Sequence, residues 1–171
     1  RWNAGRSEDQ KEKLIYKGSS SIGYIGEMNL RQGMFSFNEK ELSKALDIKE
    51  NNEFSIIFNF KSKDFKQKEV CIMSFGTDEK SADFIITQKE EEISLIIRNA
   101  QKRELISLGT MGRLRTNLIL SYGESGLSAY INGRQTLDRQ GYKIDTDKWT
   151  GKDITFGSFK EGKHRFWRGD V

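Results

Sequence analysis

The chain has no proline, one cysteine and one histidine in 171 residues. Without proline there is no proline-stiffened linker and no proline-set corner. Glycine, asparagine and aspartate must therefore make the turns. The single cysteine, Cys71, excludes an intrachain disulfide. Its place in the apolar run Glu-Val-Cys-Ile-Met-Ser-Phe reads as a small buried hydrophobe rather than a nucleophile. Cysteine usage therefore leaves the cellular compartment open. No run of about 18 apolar residues occurs, so no membrane-spanning helix is expected. The single histidine, His164, lies between Lys163 and Arg165 and reads as a surface-loop residue. No cysteine and histidine set has zinc spacing, and no glycine-rich phosphate loop precedes a helix. The chain opens on Arg-Trp-Asn rather than methionine, which reads as an excised segment, so that any targeting or anchoring segment could lie outside it.

Charge is plentiful but mixed. Residues 1–100 carry 16 basic and 17 acidic side chains, whereas residues 101–171 carry 13 and 8, so the net charge of +4 comes from the second part. The basic residues are sparse and interleaved with acids, which reads as a solvated surface. A nucleic-acid partner is not expected.

What is present is alternation. In Glu53–Ser62, Phe54, Ile56, Phe58 and Phe60 share one face of a strand, and Ser55, Ile57, Asn59 and Lys61 share the other. This is the pattern of a half-buried antiparallel strand. Further strand patterns follow at 69–77, 82–88, 92–100, 103–109, 115–123, 127–131, 134–137, 153–159 and 165–171, after shorter pieces near 14–26 and 32–38. Glu90, Glu91 and Glu92 form a solvated hairpin tip. Leu127, Ala129 and Ile131 alternate with Ser128 and Tyr130, and Asn132-Gly133 then marks a type I′ turn, whose central residues need positive φ. About a dozen short strands with turn signals roughly every 8–12 residues indicate a sandwich or barrel. Helical periodicity is confined to one short stretch near 39–46, where Asn38 stands at a cap position and Glu41 completes a capping box. The expected architecture is all-β: an antiparallel two-sheet β-sandwich of jelly-roll type spanning 14–171, preceded by a polar segment at 1–13.

The order of these segments resembles the laminin-G-like and concanavalin-A-like jelly rolls, especially their widespread bacterial type. The resemblance covers about residues 30–171 and rests on a set of pieces. These are Tyr130-Ile131-Asn132-Gly133, Ile154-Thr155-Phe156-Gly157 and Phe166-Trp167-Arg168-Gly169-Asp170. Two departures stand out. Gly112-Arg113-Leu114-Arg115-Thr116 replaces an approach that often carries a tryptophan in that family. The chain also stops at Val171, where the family adds a last strand beside its N-terminal one, so either that strand lies outside this sequence or the sheet has an open edge there. The resemblance implies modules that bind sugars or proteins, accessory domains, glycosidases or polysaccharide lyases.

The residues choose among these. Jelly-roll glycosidases set carboxylates on alternate positions of one strand so that all face one cleft, and no such array occurs here. The Arg, Gln, His and Tyr strand motifs of the related lyases are missing too. The expectation is a non-catalytic binding or accessory module, extracellular, cell-surface or periplasmic, with a glycan or a protein as partner. The alternatives are a carbohydrate-active enzyme of the same fold and a purely structural spacer. A sugar site needs a flat aromatic against a pyranose face with polar groups around it. Tyr142 and Trp149 in the loop at 141–153, with Tyr122 and Tyr130 beside it, are the candidates, and Trp149 has a competing reading as a core lid. A calcium site, as some laminin-G-like domains have, would draw on Asp138, Asp145, Asp147 and Asp153. Arg168-Gly169-Asp170 spells a tripeptide read by adhesion receptors, but its position after Phe166-Trp167 marks it as structural.

Overall fold

The computed structural model describes residues 14–22, 28–37, 52–76, 78–100, 102–151, 153–159 and 166–171. The polar segment at 1–13, the short helix expected near 39–46 and His164 lie outside these residues. Twelve strands are described: β1 (Leu14–Ile22), β2 (Met28–Phe37), β3 (Phe54–Ser62), β4 (Val70–Phe75), β5 (Phe84–Lys89), β6 (Glu92–Asn99), β7 (Lys102–Thr110), β8 (Thr116–Gly123), β9 (Gly126–Ile131), β10 (Arg134–Gln140), β11 (Ile154–Phe156) and β12 (Gly169–Asp170). A single 3₁₀ turn, Thr146–Lys148, precedes β11. All strand pairs are antiparallel, as the alternating pattern requires.

Two layers face each other. One runs β10-β9-β8-β3, and the other runs β7-β6-β5-β4-β11. The β1–β2 hairpin joins them. Leu30 and Asn29 of β2 pair with β12, which also pairs with β3, while Phe35 and Ser36 pair with β11. A strand has only two edges and β1 takes one of them, so β12 and β11 share the other. β2 therefore passes from one layer to the next. At the crossing, Ser19 pairs with Gln32 and Ser20 with Leu30, leaving Arg31 as the extra residue of a bulge. A bulge bends a strand and sharpens its twist, which is what a corner needs.

The core lies between the layers. Phe54, Phe58 and Phe60 point inward from β3 while Ser55, Ile57 and Asn59 are exposed. Leu118, Leu120 and Tyr122 of β8, Leu127, Ala129 and Ile131 of β9, and Ile93, Leu95 and Ile97 of β6 complete it. Phe54 stacks on Phe84 of the opposite layer at 6.1 Å, and Phe58 stacks on Phe156 at 5.5 Å. The run around Cys71 is apolar on both faces because both are covered. The second face carries a smaller cluster of Cys71, Ala82 and Ile85 with Phe159 packed on it. Burial pushes the Cys71 thiol up to about 12, well away from a reactive thiolate.

Asn132 (φ 52°) and Gly133 (φ 80°) form the expected primed turn. Asn132 also ties the hairpin to β8. Its side-chain oxygen accepts from the Asn117 amide at 2.8 Å, and its own amide donates to the Asn117 carbonyl at 2.8 Å. The C-terminal segment is equally fixed. Val171 exchanges backbone hydrogen bonds of 2.9 and 3.0 Å with Met28, and β12 fills the space between β2 and β3. A Cβ on Gly169 would come within 2.1 Å of the Trp167 ring and 2.6 Å of the Lys61 carbonyl, so the glycine of Arg168-Gly169-Asp170 is a packing residue. Asp170 is paired with Lys63 at 2.5 Å. Beneath this segment Trp167 is fully buried, its indole N–H donating to Gln88 Oε1 at 2.6 Å.

Candidate functional site

The outward residues of β3, β8, β9 and β10 fall into rows, because the four strands are in register. Ser55, Ser121, Ser128 and Asp138 form one row across all four. Ile57, Ile119, Tyr130 and Gln135 form the next, and Asn59 beside Asn117 continues the face. On the other side of the serine row, Gly123 faces Gly126, and Gly126 faces Gln140. Small residues thus occupy the middle of one end of the face while larger ones surround it. The result is a trough of about 840 Å³ lined by Glu53, Ser55, Ser121, Gly123, Glu124 and Ser128, with neighbouring backbone. That volume lies within the range of small-molecule sites, about 300–1,000 Å³.

Its lining offers hydroxyls and carboxylates. The Ser55 and Ser121 hydroxyls stand 3.0 Å apart, and each hydroxyl is both donor and acceptor. The Glu53 carboxylate lies over the floor at β8, since a Cβ on Gly123 would meet Glu53 Oε1 at 3.3 Å. Carboxylates add acceptor-only sites. One row along, Tyr130 is half-buried on the outer face and Ile57 is 71% exposed. Among the described residues lining the trough there is no histidine, cysteine, lysine or arginine. Glu53 and Glu124 are both exposed, whereas a carboxyl that delivers a proton to a glycosidic oxygen needs a dry setting.

The four candidate aromatics do not converge. Trp149 is 1% exposed, its ring set among Phe54, Phe75 and Phe84 at centroid distances of 5.6–6.1 Å, and its indole N–H donates to the Arg98 carbonyl at 3.0 Å. The core-lid reading of Trp149 is the one the structure supports, and the stacking platform is corrected. Tyr122 is likewise 3% exposed, and its hydroxyl accepts from the Ile144 amide at 2.8 Å. It anchors the loop after β10 and offers no face to a ligand. Tyr142 is half-buried at the gap between the two layers. Its hydroxyl donates to Glu104 Oε2 at 2.6 Å, and the Arg139 guanidinium lies 5.4 Å from its ring centroid. Arg139 also pairs with the other Glu104 oxygen. Desolvation, then the Glu104 carboxylate, pushes Tyr142 up to about 12. The Tyr142 and Arg139 hydrogen bonds hold Glu104 below the usual carboxylate range. The three side chains form a latch between β7 and β10. Only Tyr130 of the four stands on the outer face beside the trough.

The four aspartates are scattered as well. Asp138 is on β10 in the serine row. Asp145 and Asp147 flank Thr146 in the 3₁₀ turn, and Asp153 is buried ahead of β11. Among the described residues, no three carboxylate, histidine or cysteine side chains are grouped to hold a metal ion. The trough itself was missed at the sequence level. Its signal was present in the outward serines of β3, β8 and β9 and in Gly123 and Gly126, but only the strand register aligns them.

No family model and no curated protein matches the chain. Solved structures do. The carbohydrate-binding module CBM40 of the Ruminococcus gnavus IT-sialidase, bound to α2,3-sialyllactose, superposes with a TM-score of 0.54 at 14% identity over 70% of this chain and 71% of that one. The receptor-binding domain of the botulinum neurotoxin C/D mosaic serotype gives 0.67 at 15% identity over 91% of this chain and 42% of that one. The binding domain of botulinum neurotoxin DC, in complex with rat synaptotagmin II, gives 0.61 at 15% identity over 84% and 38%. The chain spans about two-fifths of the length of these toxin domains. At such identities the likeness is one of fold alone, a jelly-roll β-sandwich.

Proposed function

We propose that the chain is a non-catalytic binding module, acting outside the cytoplasm, which recognises a glycan on the outer face of β3, β8, β9 and β10. The observation that carries this reading is the trough: three serine hydroxyls in one row, a carboxylate over the floor and Tyr130 one row away. Hydroxyl-rich ligands are held by such alternating donors and acceptors beside an aromatic face. The sialyllactose-bound module and the toxin receptor-binding domains of similar fold support it by analogy. Within the jelly rolls we place the chain with the laminin-G-like type, on the Tyr130–Gly133 hairpin and the Ile154–Gly157 strand.

A glycan-array screen of the folded chain, with calcium and then with a chelator, tests the reading. Binding is expected, and it is expected to survive chelation because the aspartates are dispersed. Tyr130→Ala should weaken that binding at least about tenfold, a loss of roughly 1.4 kcal/mol, with little change in melting temperature. Blank arrays from a well-folded sample would turn the reading to a protein partner, for which exposed Ile57 beside Ile119 and Tyr130 is the natural contact.

A further inference from the structure

The charges around the trough point to what kind of glycan it takes. Glu53 and Glu124 are lining residues, and Asp138 stands in register with Ser128 at the end of the serine row. Among the described residues no cation lines the trough. The nearest arginine on β10, Arg139, is committed to Glu104 and Tyr142 at the gap with β7. An anion bound here would meet the like charges of Glu53 and Glu124 with no cation of the described lining to neutralise it, an interaction weakened by water but not abolished. A neutral sugar meets the same carboxylates as hydrogen-bond acceptors, and bonds from hydroxyls to ionised acceptors are the stronger ones.

We infer that the trough selects uncharged saccharides and discriminates against glycans that carry a carboxylate or sulfate, with Glu53 and Glu124 as the specificity-determining residues. This rests on the glycan reading above. It also sets the chain apart in ligand chemistry from the sialyllactose-bound module whose fold it shares, since sialic acid brings a carboxylate. The small residues give the specificity its reach. Gly123 lets the Glu53 carboxylate settle onto the floor, because a Cβ there would crowd it at 3.3 Å. An anionic sugar lying on the serine row is therefore brought close to that charge rather than held off at a rim.

The test uses matched pairs: neutral oligosaccharides and their sialylated forms, lactose and α2,3-sialyllactose among them, titrated against the whole chain at low and at high salt. The expected result is a preference for the neutral member of about tenfold or more at low salt, shrinking as salt screens the carboxylates. Glu53→Gln with Glu124→Gln should reduce that preference severalfold while leaving the melting temperature unchanged, since both side chains are exposed. Equal or tighter binding of the sialylated member by the wild-type chain would overturn the inference while leaving the glycan reading intact. A preference that the double variant leaves untouched would overturn the assignment to these two residues. Failure of the folded chain to bind either class would overturn the inference and the glycan reading together.

Discussion

Trp149 sits in a polar loop between β10 and β11, yet its ring is enclosed by three phenylalanines drawn from both layers. Lysine, aspartate and threonine neighbours make it look available in the sequence. What decides its role is that the 3₁₀ turn at Thr146–Lys148 folds the loop back over the open end of the core. Truncation should then leave a large cavity. Trp149→Ala is expected to cost about 3–5 kcal/mol, read as a fall of about 10 °C or more in melting temperature. A variant melting within about 2 °C of wild type would show that the ring is not a core element. Tyr130 is the opposite case. Its outward placement follows from strand parity once the inward set Leu127, Ala129 and Ile131 is recognised, whereas its place between Ile119 and Gln135 is set by strand register.

At the scale of elements, the hairpins are set by glycines with different duties. Gly133 lies at φ 80° with open space where a Cβ would go, so Gly133→Ala should cost only the backbone strain of the left-handed region, about 1–2 kcal/mol. Gly126 lies at φ 121° at the start of β9, and a Cβ there would sit 2.1 Å from the Arg139 carbonyl. Gly126→Ala must part β9 from β10 as well as strain the backbone, so its urea midpoint should fall further than that of Gly133→Ala. The reverse order would mean that β10 does not close on the β8–β9 turn. The two glycines look alike in the sequence. Turn chemistry identifies Gly133 because Asn-Gly is a local signal, whereas the duty of Gly126 depends on a strand that arrives later in the chain. β12 lies within the strand pattern read at 165–171, and the structure narrows it to Gly169–Asp170, held by β2 and β3 on either side.

The whole molecule is closed on one side by the shared β1–β2 hairpin and latched on the other by side chains. Arg139 and Tyr142 both bind Glu104 across the gap between β10 and β7. Because those bonds hold Glu104 below its ordinary value of 4.5, the latch contributes stability above that value and loses it as pH falls through the lowered one. Melting temperature should therefore fall as pH drops below the ordinary value of 4.5, and Glu104→Gln should show a shallower fall. A variant that follows the wild-type profile would mean the latch does not contribute to folding.

From the sequence alone came the sandwich, the inward and outward sets of β3 and β9, and the Asn132-Gly133 turn. These depend on alternation and on local φ preference, which a chain carries within a few residues of itself. The tertiary structure alone decided that Trp149 and Tyr122 are core, that the four aspartates stand apart, and that Ser55, Ser121 and Ser128 share one row. Those facts depend on which strands become neighbours, in what register, and on which side of the core a loop folds back. Residues as far apart in the chain as Ser55 and Ser121 become a site only when a ladder of backbone hydrogen bonds brings their hydroxyls to 3.0 Å.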